Sequence, residues 1–167
     1  QARRDQRMVA ALYLDLDNFK TVNDSLGHAV GDELLCLVAE RLGSGLRDGD
    51  TVARLSGDEF LILLGNVHNE EAVTTSAARV LQLLAQPFAL QGLDVVVTTS
   101  LGIAVAPRDG SDVDELLKNA DLAMYRAKDS GRNAFRFFDA SMNENVVEHL
   151  HMASGLRTAL AHGELQV

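Results

Sequence analysis

The feature that most constrains this chain lies between residues 51 and 64, where the apolar runs TVARL and FLILL flank Ser56-Gly57-Asp58-Glu59. That pattern reads as a β-hairpin with an exposed tight turn carrying acids and with buried arms. Ahead of it, the compact apolar run VAALYL at 9–14 stops at Asp15, Asp17 and Asn18. This is the pattern of a buried strand with acidic residues at its C-terminal end.

The remaining elements alternate in kind. After a break at Gly27 and Gly31, Leu34, Leu35, Val38 and Leu42 recur at helical spacing until Gly43 and Gly45. Asn69 is placed to cap a helix with Val73, Ala77, Val80, Leu81 and Leu84 on one face, stopped at Pro87. Residues 88–90, a Gln91-Gly92 turn and residues 93–106 read as strands. Ser111 then caps a helix carrying Val113, Leu116, Leu117, Ala120, Met124 and Ala127, with Gly131 at its end, and 134–138 supplies a last strand. Hairpins set between helices predict an α/β chain of the α+β type. Its central sheet is mostly antiparallel and flanked by helices, and it is not doubly wound and parallel.

At 167 residues with 47% hydrophobic side chains, the chain suits one domain and a short appendage. The polar stretch 139–144 is expected to end the domain at about residue 140, and 146–160 to form a connecting helix leading elsewhere. A formal charge of −9 repels nucleic-acid phosphates, so no nucleic-acid partner is expected, and phosphate handling would need cations. Cys36, the single cysteine, is expected to fill helix core; it supports no disulfide or cysteine-based zinc site, which suits a reducing cytoplasm. No apolar run approaches the roughly 20 residues of a membrane span, so this segment is expected to make no membrane contact. An anchor elsewhere stays open, because Gln1 and the closing LQV look like cut ends.

Asp15 would meet Asp58 and Glu59 if their strands are neighbours, and carboxylates gathered in that way repel unless a cation joins them. Mg²⁺ suits such a corner because it shares its oxygen shell among one or two carboxylates, water and phosphates. The simpler alternative is that DLD caps the next helix and SGDE only turns a hairpin. Lys128 and Arg132 stand around the end of the last long helix and Lys20 follows the first acids. All three are cations able to meet β- and γ-phosphates or, singly, to complement a helix dipole and solvent. Asn23 and Asp32 flank a glycine turn. A carboxylate there accepts the N1 and N2 hydrogens of guanine and an amide touches the same edge, while the plainer roles are a turn residue and a first-turn helix acid.

The blocks LDLDNFKTVNDSLGHAVGDELL, RLSGDEFLILL, TTSLGIAVAP and NADLAMYRAKDSGRNAF, in this order, resemble the GGDEF family of diguanylate cyclases over about residues 8–139. The resemblance implies a palm-like sheet of the nucleotide-cyclase kind. It implies metal held by Asp15, Asp58, Glu59 and the backbone carbonyl of Leu16, with Mg²⁺ or Mn²⁺ as the ion. It further implies guanine reading by Asn23 and Asp32, and phosphate contacts from Lys20, Lys128 and Arg132. In such an enzyme two domains, each with GTP, face each other as a homodimer and form cyclic di-GMP and two pyrophosphates. Asp58 and Glu59 then carry the catalysis, with Glu59 or a hydroxide on the metal taking the hydroxyl proton.

Arg47 and Asp50 form the RxxD pair with which similar domains bind product for feedback inhibition; an isolated pair of this kind is otherwise a solvated loop contact. Two departures accompany the match. Ser56 stands where the family's signature has its first glycine, adding a side chain where positive φ or close approach to nucleotide is expected. The family's opening LTGLxNR-like segment is not within these residues and is expected upstream of Gln1. Finally, LRTALAHGELQV at 156–167 resembles the start of an EAL phosphodiesterase domain, which gives 141–167 the role of connecting helix and domain start. A GTP-binding module that regulates an adjoining phosphodiesterase is therefore the rival expectation, and a cyclic di-GMP receptor a third.

Overall fold

The computed structural model describes residues 8–143. In chain order the elements are β1 (Met8–Leu16), α1 (Phe19–Leu26), α2 (His28–Gly45), β2 (Thr51–Ser56), β3 (Glu59–Val67), α3 (Glu70–Leu84), β4 (Phe88–Leu90), β5 (Leu93–Val95), β6 (Thr99–Ala106), α4 (Val113–Asp129) and β7 (Ala134–Phe137). Five strands form one sheet in the order β2-β3-β1-β6-β7, and β4 with β5 makes a separate small hairpin. All pairings in the large sheet are antiparallel except β6 with β7. The mixed, mostly antiparallel sheet flanked by helices is the architecture the sequence predicts.

Strand β1 sits at the centre, and its alternation sorts the molecule into layers. Ala10, Leu12, Leu14 and Leu16 join a core with Phe19 of α1, Leu34, Val38 and Leu42 of α2, and Val73, Ala77 and Val80 of α3. Burying each of these leucines stabilises the fold by about 1.5–3 kcal/mol. Ala11 faces the opposite way, into a smaller cluster with Leu61, Ala104, Leu116 and Ala120, against which Tyr13 packs. Helix α4 forms that second layer. It lies directly on β6 because residue 102 is glycine, where an added Cβ would fall 1.8 Å from the Ala120 carbonyl oxygen.

Several local expectations change. The hairpin arms are not both buried, since β3 is largely inside while β2 is the exposed edge of the sheet. Gly31 does not break a helix but lies within α2, where a Cβ would stand 1.8 Å from Asn23 Oδ1, so its smallness lets α1 and α2 approach. Asp112, not Ser111, caps α4 by accepting the Glu115 N–H, and Ser111 instead donates to the Glu115 carboxylate. Cys36 is exposed, because it falls on the outer side of α2 between the inward Leu35 and Val38. Asn69 caps α3 as expected. At the other end of α3 the Arg41 guanidinium donates to the carbonyls of Leu83, Gln86 and Pro87 and lies 3.5 Å over the Phe88 ring. The expected connecting helix from 146 onward and the EAL-like start lie outside the described residues.

Candidate functional site

The register of the central strands builds an acidic corner. Asp15 of β1 stands opposite Glu59 of β3 on one side and Ser100 of β6 on the other. Beyond that pair the Leu16 N–H donates to the Asp58 carbonyl at 3.3 Å, closing the hairpin tip onto the end of β1. Asp15 lies on the same face of β1 as Tyr13, the face that α4 covers, and α4 brings Lys128 Nζ to 2.7 Å from Asp15 Oδ1. Asp15, Asp58, Glu59 and Lys128 are thus brought together.

The electrostatics are those of a corner short of positive charge. Burial pushes the Asp15 carboxyl above its ordinary value, and the Asp58 and Glu59 charges push the same way against the Lys128 ammonium. Tyr13 donates its hydroxyl to Glu59 Oε2 at 3.2 Å, and its phenol is pushed up to about 12 by burial and by the Glu59 charge. Asp121 touches solvent on α4, yet the protein around it raises its carboxyl, with Glu59 adding to the effect. Tyr13 and Asp121 escaped the sequence reading. Their signal was spacing: Tyr13 is two residues before Asp15 on one strand face, and Asp121 is two helical turns before Lys128.

Ser56 takes a part that its sequence position did not announce. The positive φ of the turn falls on Gly57, at 47°, and Ser56 is the last residue of β2. Its hydroxyl donates to Glu59 Oε2 at 2.8 Å. One oxygen of Glu59 therefore accepts from two hydroxyls. The acids of the DLD segment do not cap α1 either: its N-cap is Asn18, with no side-chain cap bond. Asp17, at 3% exposure, instead accepts from Thr98 Oγ1, Ser100 Oγ and the Asn133 N–H.

The other sequence candidates are dispersed around this corner. Lys20 is exposed on α1. Asn23 is half-buried on α1 against Gly31, with Oδ1 lacking a hydrogen-bond partner, and Asp32 follows Gly31 on the exposed side of α2. Arg132 is exposed just past α4, with φ of 63° and its N–H donating to the Ala127 carbonyl. Leu16 is buried as the last residue of β1. Arg47 and Asp50 form a turn before β2, at the end of that strand away from the hairpin tip. There Asp50 Oδ2 accepts the Arg47 N–H at 3.3 Å with the guanidinium Nε at 3.9 Å, and Arg47 also donates to Ser76 Oγ.

Among the described residues, no three His, Cys, Asp or Glu side chains are arranged as a ready cage for an ion. The donors at the corner nevertheless fit a hard divalent cation. They are all oxygens, they border one another on β1 and the hairpin, and the one ammonium at Asp15, that of Lys128, faces three carboxylates. Mg²⁺-type sites take one or two carboxylates and leave the rest of the shell to water and phosphate. Among the described residues no helix is long and apolar enough to cross a membrane.

Comparison with known proteins follows the same lines. A family model described as "Diguanylate cyclase, GGDEF domain" matches residues 1–134. The chain is 46% identical to MucR of Pseudomonas aeruginosa, a bifunctional diguanylate cyclase/cyclic di-GMP phosphodiesterase, over 99% of this chain and 24% of that protein. It is 44% identical to the cyclic di-GMP phosphodiesterase NbdA of the same organism, over 95% of this chain and 20% of the relative. The chain thus spans about a quarter or less of the length of these curated relatives. Among solved structures, an EAL/GGDEF domain protein from M. capsulatus superposes with a TM-score of 0.76 at 49% identity, over 83% of this chain and 90% of that one.

Proposed function

The chain belongs to the GGDEF domain family, and on that premise we propose that it is a diguanylate cyclase domain, condensing two GTP molecules into cyclic di-GMP and two pyrophosphates. The observation that carries this reading is the Lys128–Asp15 contact at the β1 end, beside the Asp58-Glu59 hairpin. It gathers carboxylates for metal and a cation for phosphate at the end of the central strand.

In this reading Asp15, Asp58, Glu59 and the Leu16 carbonyl hold Mg²⁺ or Mn²⁺. When bound, the ion neutralises charge on phosphate oxygens and draws the triphosphate against the corner. Lys20, Lys128 and Arg132 meet the outer phosphates, and charge-assisted bonds of this kind are short and strong. Asn23 brings its side-chain amide, and Asp32 its carboxylate, to the guanine edge. Two domains pair so that each ribose 3′-hydroxyl attacks the other nucleotide's α-phosphorus in line. The new O–P bond forms as the bond to pyrophosphate breaks, and Glu59 accepts the hydroxyl proton. Most of the acceleration comes from orientation and from the fixed charges of the corner.

Arg47 and Asp50 form the site at which product binds and inhibits. The domain occupies about residues 1–140, and 141–167 leads into an EAL-like domain, with the whole acting in the cytoplasm. A second reading is favoured by two observations: Glu59 Oε2 is already engaged by Ser56 and Tyr13, and NbdA bears a phosphodiesterase name. There the domain binds GTP without cyclising it and biases an adjoining phosphodiesterase. The deciding experiment incubates the purified chain at high concentration with GTP and Mg²⁺ and measures cyclic di-GMP. Product that disappears in Asp58→Ala supports the cyclase. GTP binding without product rejects cyclase activity for this chain and leaves the regulatory reading.

A further inference from the structure

Asp17 is an anomaly beside the corner, being a carboxylate nearly as buried as the leucines before it, with no cation within ion-pair distance among the described residues. Both of its oxygens are engaged. Oδ1 accepts from Ser100 Oγ at 2.7 Å, while Oδ2 accepts from Thr98 Oγ1 at 2.7 Å and from the backbone N–H of Asn133 at 3.0 Å. The first donor lies at the start of β6 and the second, Thr98, immediately precedes that strand. The third comes from the loop after α4, 116 residues along the chain.

That loop has an unusual shape. Arg132 and Asn133 are consecutive non-glycine residues in the left-handed region, at φ 63° and 47°. Sterics disfavour this conformation, so bonds from outside the loop must hold it. Two such bonds are present, the Arg132 N–H to the Ala127 carbonyl and the Asn133 N–H to Asp17. The first anchors the loop to its own helix. The second anchors it to the residue just past β1, the strand that carries Asp15.

We propose that Asp17 is a positioning residue for the outer phosphates of the nucleotide: by gripping the Asn133 amide it sets where Arg132 presents its guanidinium relative to Lys128 and Asp15. The proposal rests on the reading of Arg132 as a phosphate contact. It also makes a chemical distinction between substitutions. An asparagine at 17 keeps an acceptor for Asn133 if its NH₂ turns to Ser100, whose hydroxyl rotates to accept it. An alanine keeps none.

The test is calorimetric binding of GTP, and separately of GMP, each with Mg²⁺, to the whole chain. Asp17→Ala is expected to weaken GTP about tenfold, the scale of a lost charge-assisted contact, while GMP changes by less than about twofold. Asp17→Asn is expected to restore GTP affinity, and Asp17→Ala combined with Arg132→Ala to bind no more weakly than Arg132→Ala alone. If Arg132→Ala weakens GTP but Asp17→Ala does not, or if Asp17→Ala weakens GTP and GMP alike, the positioning role is overturned while the phosphate role of Arg132 stands. If Arg132→Ala leaves GTP affinity unchanged, the phosphate role itself fails. Should Asp17→Ala not fold, amide hydrogen exchange in the unsubstituted chain decides: slow exchange at Asn133 is expected, and fast exchange there overturns the grip.

Discussion

Lys128 Nζ stands 2.7 Å from Asp15 Oδ1, joining the last turn of α4 to the inner end of the central strand. The carboxylate is the more buried partner, with its side chain 10% exposed against 27% for the lysine. Breaking this contact therefore leaves an acid in low dielectric with two acidic neighbours, which is the costly half of a partly buried pair.

Lys128→Met is expected to lower stability by about 1–3 kcal/mol in metal-free buffer, the cost of an uncompensated buried polar group. Added Mg²⁺ should recover part of that loss by replacing the missing charge. Thermal denaturation with and without the ion measures both. A variant as stable as the unsubstituted chain in metal-free buffer would show that solvent already compensates Asp15.

The Tyr13 phenol, pushed up to about 12 first by burial and then by Glu59, makes a prediction with a definite sign. Its folded value lies above the ordinary 10.0, so its contribution to stability is fully present below pH 10 and is lost as pH rises through about 12. Glu59→Gln removes the neighbouring charge and should move the Tyr13 midpoint down toward the ordinary value. Phenolate absorbance followed during an alkaline titration, with Tyr13→Phe to identify the signal, measures the shift. An unmoved midpoint would mean that burial alone sets it.

Ser56→Gly restores the residue usual in the family and removes one of two donors from Glu59 Oε2. A hydroxyl bond to a half-buried carboxylate contributes about 1 kcal/mol, so divalent-ion affinity is expected to rise roughly fivefold once that oxygen is released. Calorimetry with Mn²⁺ reads this directly. Unchanged or weaker affinity would mean that Ser56 holds Glu59 in a pose the ion already prefers.

Two glycine substitutions separate packing from binding. Gly102→Ala drives a Cβ into backbone, 1.8 Å from the Ala120 oxygen and 2.1 Å from the Met124 nitrogen, and neither atom has a rotamer with which to escape. A loss of about 3 kcal/mol in chemical denaturation is expected, at the upper end of overpacking costs. Gly31→Ala meets the Asn23 side chain, which moves, and the helical preference for alanine offsets the strain by about 0.5–1 kcal/mol. Its stability should change little while GTP affinity falls, because the displaced Asn23 amide no longer reaches the base. Equal GTP affinity in Gly31→Ala would remove Asn23 from the binding site.

Much of the site was legible before any coordinates because its parts sit at local signals. Asp15 ends an apolar run, Asp58 and Glu59 lie in a hairpin turn, and Lys128 closes a periodic helix ahead of Gly131. The misreadings had non-local causes. Gly31 looked like a break because only the approach of Asn23 explains a glycine there, and the hairpin arms looked alike because only the strand order makes β2 an edge. Cys36 looked inward because it sits in an apolar run, although the helix turns it outward.

By itself the sequence determined the kinds of element, their order and the residues able to bind metal and phosphate, since periodicity, caps and turn residues act within a few positions along the chain. The tertiary structure alone decided which of them meet. Tyr13 reaches Glu59 across 46 residues and Asp17 reaches Asn133 across 116, contacts set by strand register and by the bare surface of Gly102 that lets α4 settle onto the sheet. Those depend on three-dimensional packing, in which a one-residue slip in register would turn Asp15 to the opposite face and away from Lys128.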